Sequence, residues 1–165
     1  GSQEISTTLQ KAETKVPLLA LNGSTLQVQL RPGIGQELSK FLASNQGTVK
    51  SLDLRNNWCA DKSVLTEFLS ALNVSGKVGK VTTARKNKEA EVISLPEASG
   101  MQKFTVLVDE STRGIAAAAA SVLKAKGMPL QGTPSNSRVV TEVVNLPNNS
   151  GYTLRLGDFV TEVAK

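Results

Sequence analysis

The chain has 165 residues, 39% of them apolar and 20% charged, which suits one soluble globular domain with a real core. It holds no histidine, which excludes Ser-His-Asp and Cys-His catalysis and most transition-metal sites, and its single cysteine, Cys59, excludes an internal disulfide and a cysteine-based zinc site. Aromatics are only 4%, so the core must rest on Val, Leu, Ile and Ala, and the net charge of +5 raises the question of nucleic acid.

In chain order, Gly1-Ser2 reads as a scar of tag cleavage, and residues 1–14 are expected to form a flexible, polar segment without a signal peptide. Residues 15–165 are expected to form one core domain. LNGSTLQVQLR places Leu26, Val28 and Leu30 on one face of a strand after a turn at Asn22-Gly23. Leu38, Phe41 and Leu42 have helical spacing, with Gly47 as the stop. TVKSLDLR (48–55) is a strand ending at the Asn56-Asn57 turn. Asp61 can cap a helix whose apolar stripe is Val64, Leu65, Phe68, Leu69 and Leu72, closed by Ser75-Gly76.

Residues 77–95 read as a β-hairpin with basic residues Lys77, Lys80, Arg85, Lys86 and Lys88. The aromatic platforms of single-strand binders are missing there, and no nucleic-acid-binding motif is present, so this is a solvated basic hairpin and no nucleic-acid partner is expected. KFTVLVD (103–109) is nearly continuous apolar, as in a strand buried on both faces of a parallel sheet. It empties through Glu110, Ser111, Thr112, Arg113 and Gly114 into a helix carrying five consecutive alanines, Ala116 to Ala120, and ending at Gly127. The Ser111-Thr112 pair reads as the cap of that helix. A loop over 132–138 precedes two strands, VVTEVVNL and YTLRLGDFV, joined by the turn PNNSG. The alternation of strands and helices predicts an α/β fold with a mainly parallel sheet. No apolar run approaches the roughly 18 residues that a membrane span needs.

Four blocks in this order resemble the carboxyl-terminal processing, or tail-specific, proteases, which are serine-lysine peptidases with a ClpP/crotonase-related core. The blocks are LQVQLRPGIGQELSKFLASNQGTVKSLDLRNN, KVTTARKNKEAEVIS, VLVDESTRGIAAAAASVLKAKG and SRVVTEVVNLPNNSGYTLRL, and the likeness runs over roughly residues 15 to 160. It implies an α/β core with a mainly parallel sheet flanked by helices, plus a β-hairpin, and an exported compartment such as periplasm, cell envelope or thylakoid lumen.

The same resemblance exposes departures. The family's nucleophilic serine falls on Gly114, which has no side chain to attack with. The following glutamate of that run falls on Ala117. The general-base lysine falls on Ser137 or, one residue on, Arg138; serine takes up no proton at neutral pH and arginine stays protonated. The glutamine that orients the lysine falls on Thr141. The Pro-Gly-Gly turn that helps hold the oxyanion is replaced by Trp58-Cys59-Ala60, which restricts the backbone conformations open to it.

The expectation is therefore a protease fold without its chemistry: a scaffold or regulatory subunit, needing no cofactor or metal. It would bind a protein partner such as an active relative or an assembly factor, in a homo- or hetero-oligomer paired through the 77–95 hairpin or an edge strand near Tyr152. The candidate binding cleft is Trp58, Ser111, Thr112, Arg113 and Gly114, with Trp58 either filling the emptied cleft or anchoring a partner. One alternative keeps the cleft as a pocket for a peptide tail or a small apolar ligand. Another is an active hydrolase with Ser111 or Thr112 as nucleophile and Lys62 or Lys103 as base. Without histidine beside it, Cys59 is expected to be inert.

Overall fold

The computed structural model describes residues 17–83 and 89–163; residues 1–14 and the hairpin tip with Arg85, Lys86 and Lys88 lie outside the described residues. The chain opens with β1 (Leu19–Asn22) and β2 (Thr25–Val28), an antiparallel pair closed at Gly23, whose φ of 63° suits glycine. Helix α1 (Ile34–Ser44) follows, burying Ile34, Leu38 and Leu42 on one stripe. It leads to β3 (Ser51–Asp53), β4 (Trp58–Cys59) and α2 (Lys62–Ala71).

Asp61 caps α2 as expected, its Oδ1 accepting the Ser63 N–H at 2.9 Å. The helix closes earlier than the Ser75-Gly76 signal suggests. It stops at Ala71, and Asn73 takes the left-handed conformation (φ 61°), which asparagine tolerates better than most residues. Helices α1 and α2 meet closely at Gly35, where a Cβ would lie 3.0 Å from the Cβ of Glu67.

The hairpin forms as β5 (Gly76–Thr82) and β6 (Glu91–Leu95), paired antiparallel. Next come β7 (Thr105–Leu107), β8 (Arg113–Gly114), α3 (Ile115–Ala125) and β9 (Leu130–Gln131). The long pair β10 (Val139–Asn145) and β11 (Gly151–Thr161) ends the fold.

These strands form a mixed α/β architecture, and the expectation of a mainly parallel sheet holds for only one part of it. A five-stranded sheet runs β1-β2-β3-β7-β9, with β2, β3, β7 and β9 parallel and β1 antiparallel. A second sheet, β10-β11-β5-β6, is antiparallel throughout. Connection length explains the division. Helical crossovers join β2 to β3 and β7 to β9, whereas only eight residues separate β5 from β6 and five separate β10 from β11. A two-stranded parallel ladder, β4-β8, sits between β3 and α2 on one side and β7 and α3 on the other.

Apolar side chains from both sheets and all three helices form one core, including Leu26, Leu52, Phe68, Leu69, Val106 and Phe159. Helix α3 lies inside it: Ile115 through Ala120 are all fully buried. Alanine is what lets a helix be enclosed on every side at that depth, since larger side chains would push neighbouring elements apart.

The expected edge strand near Tyr152 is present locally, as one side of a two-stranded ribbon. Tyr152 belongs to β11, which is interior in strand order; the edges of that sheet are β10 and β6. Strand β5 pairs with β11 only at Asp158–Thr161, so the part bearing Tyr152 is a two-stranded ribbon with β10. No helix among the described residues is long and apolar enough to cross a membrane.

Candidate functional site

The strand ends that face the β4-β8 ladder are tied by a polar framework built from Asp53, Leu54, Arg55, Asn56 and Asn57. Asp53, at the end of β3, is buried and accepts from the Arg55 Nε (2.9 Å) and Nη2 (2.8 Å). The guanidinium, by hydrogen bonding first and charge second, holds the Asp53 carboxyl below the usual carboxylate range against the opposing effect of burial. Asn56 turns the chain with φ 57°, and its N–H donates to Asp109 Oδ1 at 3.1 Å. Asn57 is 4% exposed; its Nδ2 donates to the Val28 carbonyl (2.8 Å) and its Oδ1 accepts the Leu30 N–H (2.9 Å). One short segment thus fastens the end of β3 to the ends of β2 and β7.

From there, the Asn57 carbonyl accepts the Arg113 N–H at 2.8 Å, and the ladder pairs Trp58 with Arg113 and Cys59 with Gly114. The expected cap of the alanine helix does not form. Helix α3 starts one residue after Gly114, with no side chain bonded to its first turn. Thr112 is instead fully buried: its hydroxyl donates to the Leu54 carbonyl (3.0 Å) and accepts the Asp109 N–H (3.1 Å). Ser111 is exposed, its N–H donating to Asp109 Oδ1 at 3.0 Å. The chain spends two further residues in β8 before turning helical, which carries both hydroxyls out of capping register.

Gly114 has φ 65° and ψ −129°, a combination in which a side chain is strained. It is also enclosed. A Cβ built there would overlap the Cys59 carbonyl oxygen and lie 2.7 Å from Cζ3 of Trp58. The Gly114 N–H donates to the Ser137 carbonyl at 2.8 Å, so the structure brings together the two positions that the resemblance assigns to nucleophile and base. Arg138 points elsewhere: its Nη1 donates to Ser121 Oγ on α3 (3.2 Å), which also receives the Thr161 hydroxyl of β11 (2.7 Å). The Thr141 N–H donates to the Ala60 carbonyl at 2.6 Å, tying the start of β10 to the turn before α2.

Neither lysine considered as a base is placed to serve, one being ion-paired and the other distant. Lys62 Nζ is paired with Glu91 at 2.7 Å. Lys103 Nζ lies beside Gly127, past the far end of α3 from Gly114, a helix of 11 residues or about 16 Å away. The Cys59 thiol is half-buried, and burial pushes its pKa up, which leaves it largely protonated at neutral pH. No cluster of three or more His, Cys, Asp or Glu suited to a metal is present among the described residues.

Of the five candidate cleft residues, Thr112 and Gly114 are buried, while Trp58, Ser111 and Arg113 are exposed, Trp58 to 64%. Trp58 therefore lies largely open over the turn, with only the Cζ3 edge of its ring against Gly114. A concavity of about 910 Å³ lies away from them, between β1 and α1, with Leu18, Arg31, Lys40 and Phe41 in its wall. A smaller one of about 240 Å³ lies between the C-terminal parts of α1 and α2. Sequence reasoning missed Asn57 and Thr112 as buried anchors. The signal for Asn57 was its place directly after a strand that ends in a buried acid; Thr112 gave none, since its main partner, Leu54, is 58 residues away.

No protein-family profile matches the sequence, and no curated protein matches it. Solved structures do. The chain is similar to a photosystem II D1 C-terminal processing protease over 90% of its own length and 45% of that chain, with 15% identity and a TM-score of 0.62. It is similar to a Bacteroides fragilis protein assigned to the S41 proteases over 87% of its length and 44% of that chain, at 14% identity and TM-score 0.56. A Streptococcus agalactiae lipoprotein matches 96% of this chain and 63% of its own, at 13% identity and TM-score 0.51. The chain thus spans roughly half the length of the structures it matches. At these identities the likeness is one of architecture, and the fold of the described residues is that of the C-terminal processing and S41 proteases.

Proposed function

We propose that this domain is a non-catalytic module on the ClpP/crotonase-related protease fold, which works by binding protein, as a scaffold or a regulatory subunit. The observation that carries this reading is the enclosure of Gly114. The backbone there keeps a sharp strand-to-helix turn, while the space a nucleophile's Cβ would need is filled by the Cys59 carbonyl and the edge of Trp58. The surroundings agree with it. Ser137, at the first of the two candidate base positions, meets Gly114 through its carbonyl, Arg138 is turned to Ser121, and the Thr112 hydroxyl is buried and engaged. Ser111 is accessible, but of the two candidate bases Lys62 is held by Glu91 and Lys103 lies past the far end of α3.

Binding is supported by the exposed indole of Trp58 and by the outer strands of the antiparallel sheet, β6 and the part of β10 beyond Thr141, whose start is tied to Ala60 and Asp61. A partner would be an active relative or an assembly factor, met in an exported compartment. The test is to incubate the protein with an unfolded substrate protein and a fluorophosphonate probe. No cleavage and no labelling are expected. Labelling that disappears in the Ser111→Ala variant would establish an active hydrolase in place of a binding module.

A further inference from the structure

Trp58 and Arg113 are register partners in the parallel β4-β8 ladder, so their side chains leave the same face side by side, and both are exposed. Arg113 forms no ion pair among the described residues. Its Nε donates to the carbonyl of Glu110 at 3.4 Å, not to that residue's carboxylate. The Asp109 carboxylate forms no ion pair with Arg113, and its Oδ1 accepts the amides of Asn56 and Ser111. Arg55 and Arg155, by contrast, each hold an aspartate. A large indole and a guanidinium without a counter-ion among the described residues therefore lie on register partners in a protein of net charge +5.

We propose that Trp58 and Arg113 form a two-point docking site for an extended, carboxylate-bearing segment of a partner protein. The inference rests on the reading of this domain as a binding module and names the chemistry of what is bound. Arg113 would take a carboxylate of the segment through its free N–H donors, and an apolar or aromatic residue next to that carboxylate would cover the indole. The site is preorganised. Trp58 follows the buried Asn57, the Arg113 N–H is held by the Asn57 carbonyl, and the edge of the indole rests over Gly114. Little ordering is left to be done on binding, which favours affinity. The absence of a side chain at Gly114 acquires a use here, as a flat floor beneath the ring.

Trp58 is the sole tryptophan in the chain, so its emission reports this site alone. The experiment titrates the full chain with two synthetic peptides of identical length, one alternating Glu and Phe and one alternating Lys and Phe, in a Gly-Ser frame. The acidic peptide is expected to give a saturable shift in Trp58 emission that weakens as ionic strength rises. Arg113→Ala, an exposed change whose folding is checked by circular dichroism, is expected to weaken binding about tenfold, with Arg113→Lys intermediate. A labelled acidic peptide followed by anisotropy should also bind Trp58→Phe more weakly. Equal response to the Lys peptide, an unchanged affinity in Arg113→Ala, or no response to either peptide would each overturn this docking site. All three results leave the non-catalytic reading standing, because that reading fails on substrate cleavage or on fluorophosphonate labelling that disappears in Ser111→Ala.

Discussion

Replacing Gly114 with serine would restore the residue type expected at that position in an active protease, and the structure predicts that it harms the protein without giving it activity. Two effects add. The backbone at φ 65° and ψ −129° disfavours any side chain, at a cost of about 1–3 kcal/mol. The new Cβ also overlaps the Cys59 carbonyl and crowds Trp58, and forced overpacking of this kind costs about 1–3 kcal/mol more. A loss of about 4 kcal/mol is a large share of the stability of a domain this size, and corresponds to a fall in Tm of roughly 8–16 °C. Urea and thermal unfolding followed by circular dichroism would measure it. Gly114→Ala should cost as much as Gly114→Ser, since the conflict lies at the Cβ. Adding Trp58→Ala should relieve only part of it, because the carbonyl remains. A Gly114→Ser protein as stable as the parent, or full rescue by Trp58→Ala, would refute the view that backbone fills the nucleophile's space.

Two further outcomes follow from the surrounding structure. Asn57→Ala removes both hydrogen bonds that join the strand ends at Val28 and Leu30, leaving a carbonyl and an N–H unsatisfied, and should cost about 2–4 kcal/mol in denaturant unfolding. Glu162 receives Lys77 and Lys80 at 2.8 Å each, and hydrogen bonds from the two, Lys77 first, lower its pKa from 4.5 to about 2. Because the folded value is the lower one, the stabilisation this carboxylate provides is present above pH 4.5 and disappears as pH falls toward 2. Carboxyl NMR titration should find the depressed value in the parent and a value close to 4.5 in a Lys77→Ala, Lys80→Ala double variant; a parent titrating near 4.5 would show that the pairs do not form in solution.

The sequence was most informative where a local pattern carries the structure. The stripes of α1 and α2, the Asp61 cap, the Asn22-Gly23 turn and the β5-β6 hairpin are all set by residues within a turn or two of each other. It was least informative at β4 and β8, because two-residue strands have no periodicity and exist only through pairing across more than fifty residues. That same ladder defeats the capping rule. Ser111-Thr112 stands at the usual distance before an apolar helix, but the extra pairing at Arg113-Gly114 carries both away from the helix end. The departures at Gly114, Ser137 and Arg138 were legible in the residues themselves. That the first two are joined by a hydrogen bond, and the third turned to Ser121, depended on packing that no local window contains.

The enclosed alanine helix bears on how such proteins are recognised by their sequences. From Ile115 to Ala120 there is no solvent-facing side on which the sequence could drift without consequence, and the strand before it is similarly confined at Val106 and Val108. Steric volume alone restricts these positions to small or closely fitting apolar residues. A lineage that abandoned proteolysis would therefore go on displaying this stretch much as its active ancestors did. Likeness along it reflects the packing of an architecture, and activity has to be judged from the few atoms around Gly114.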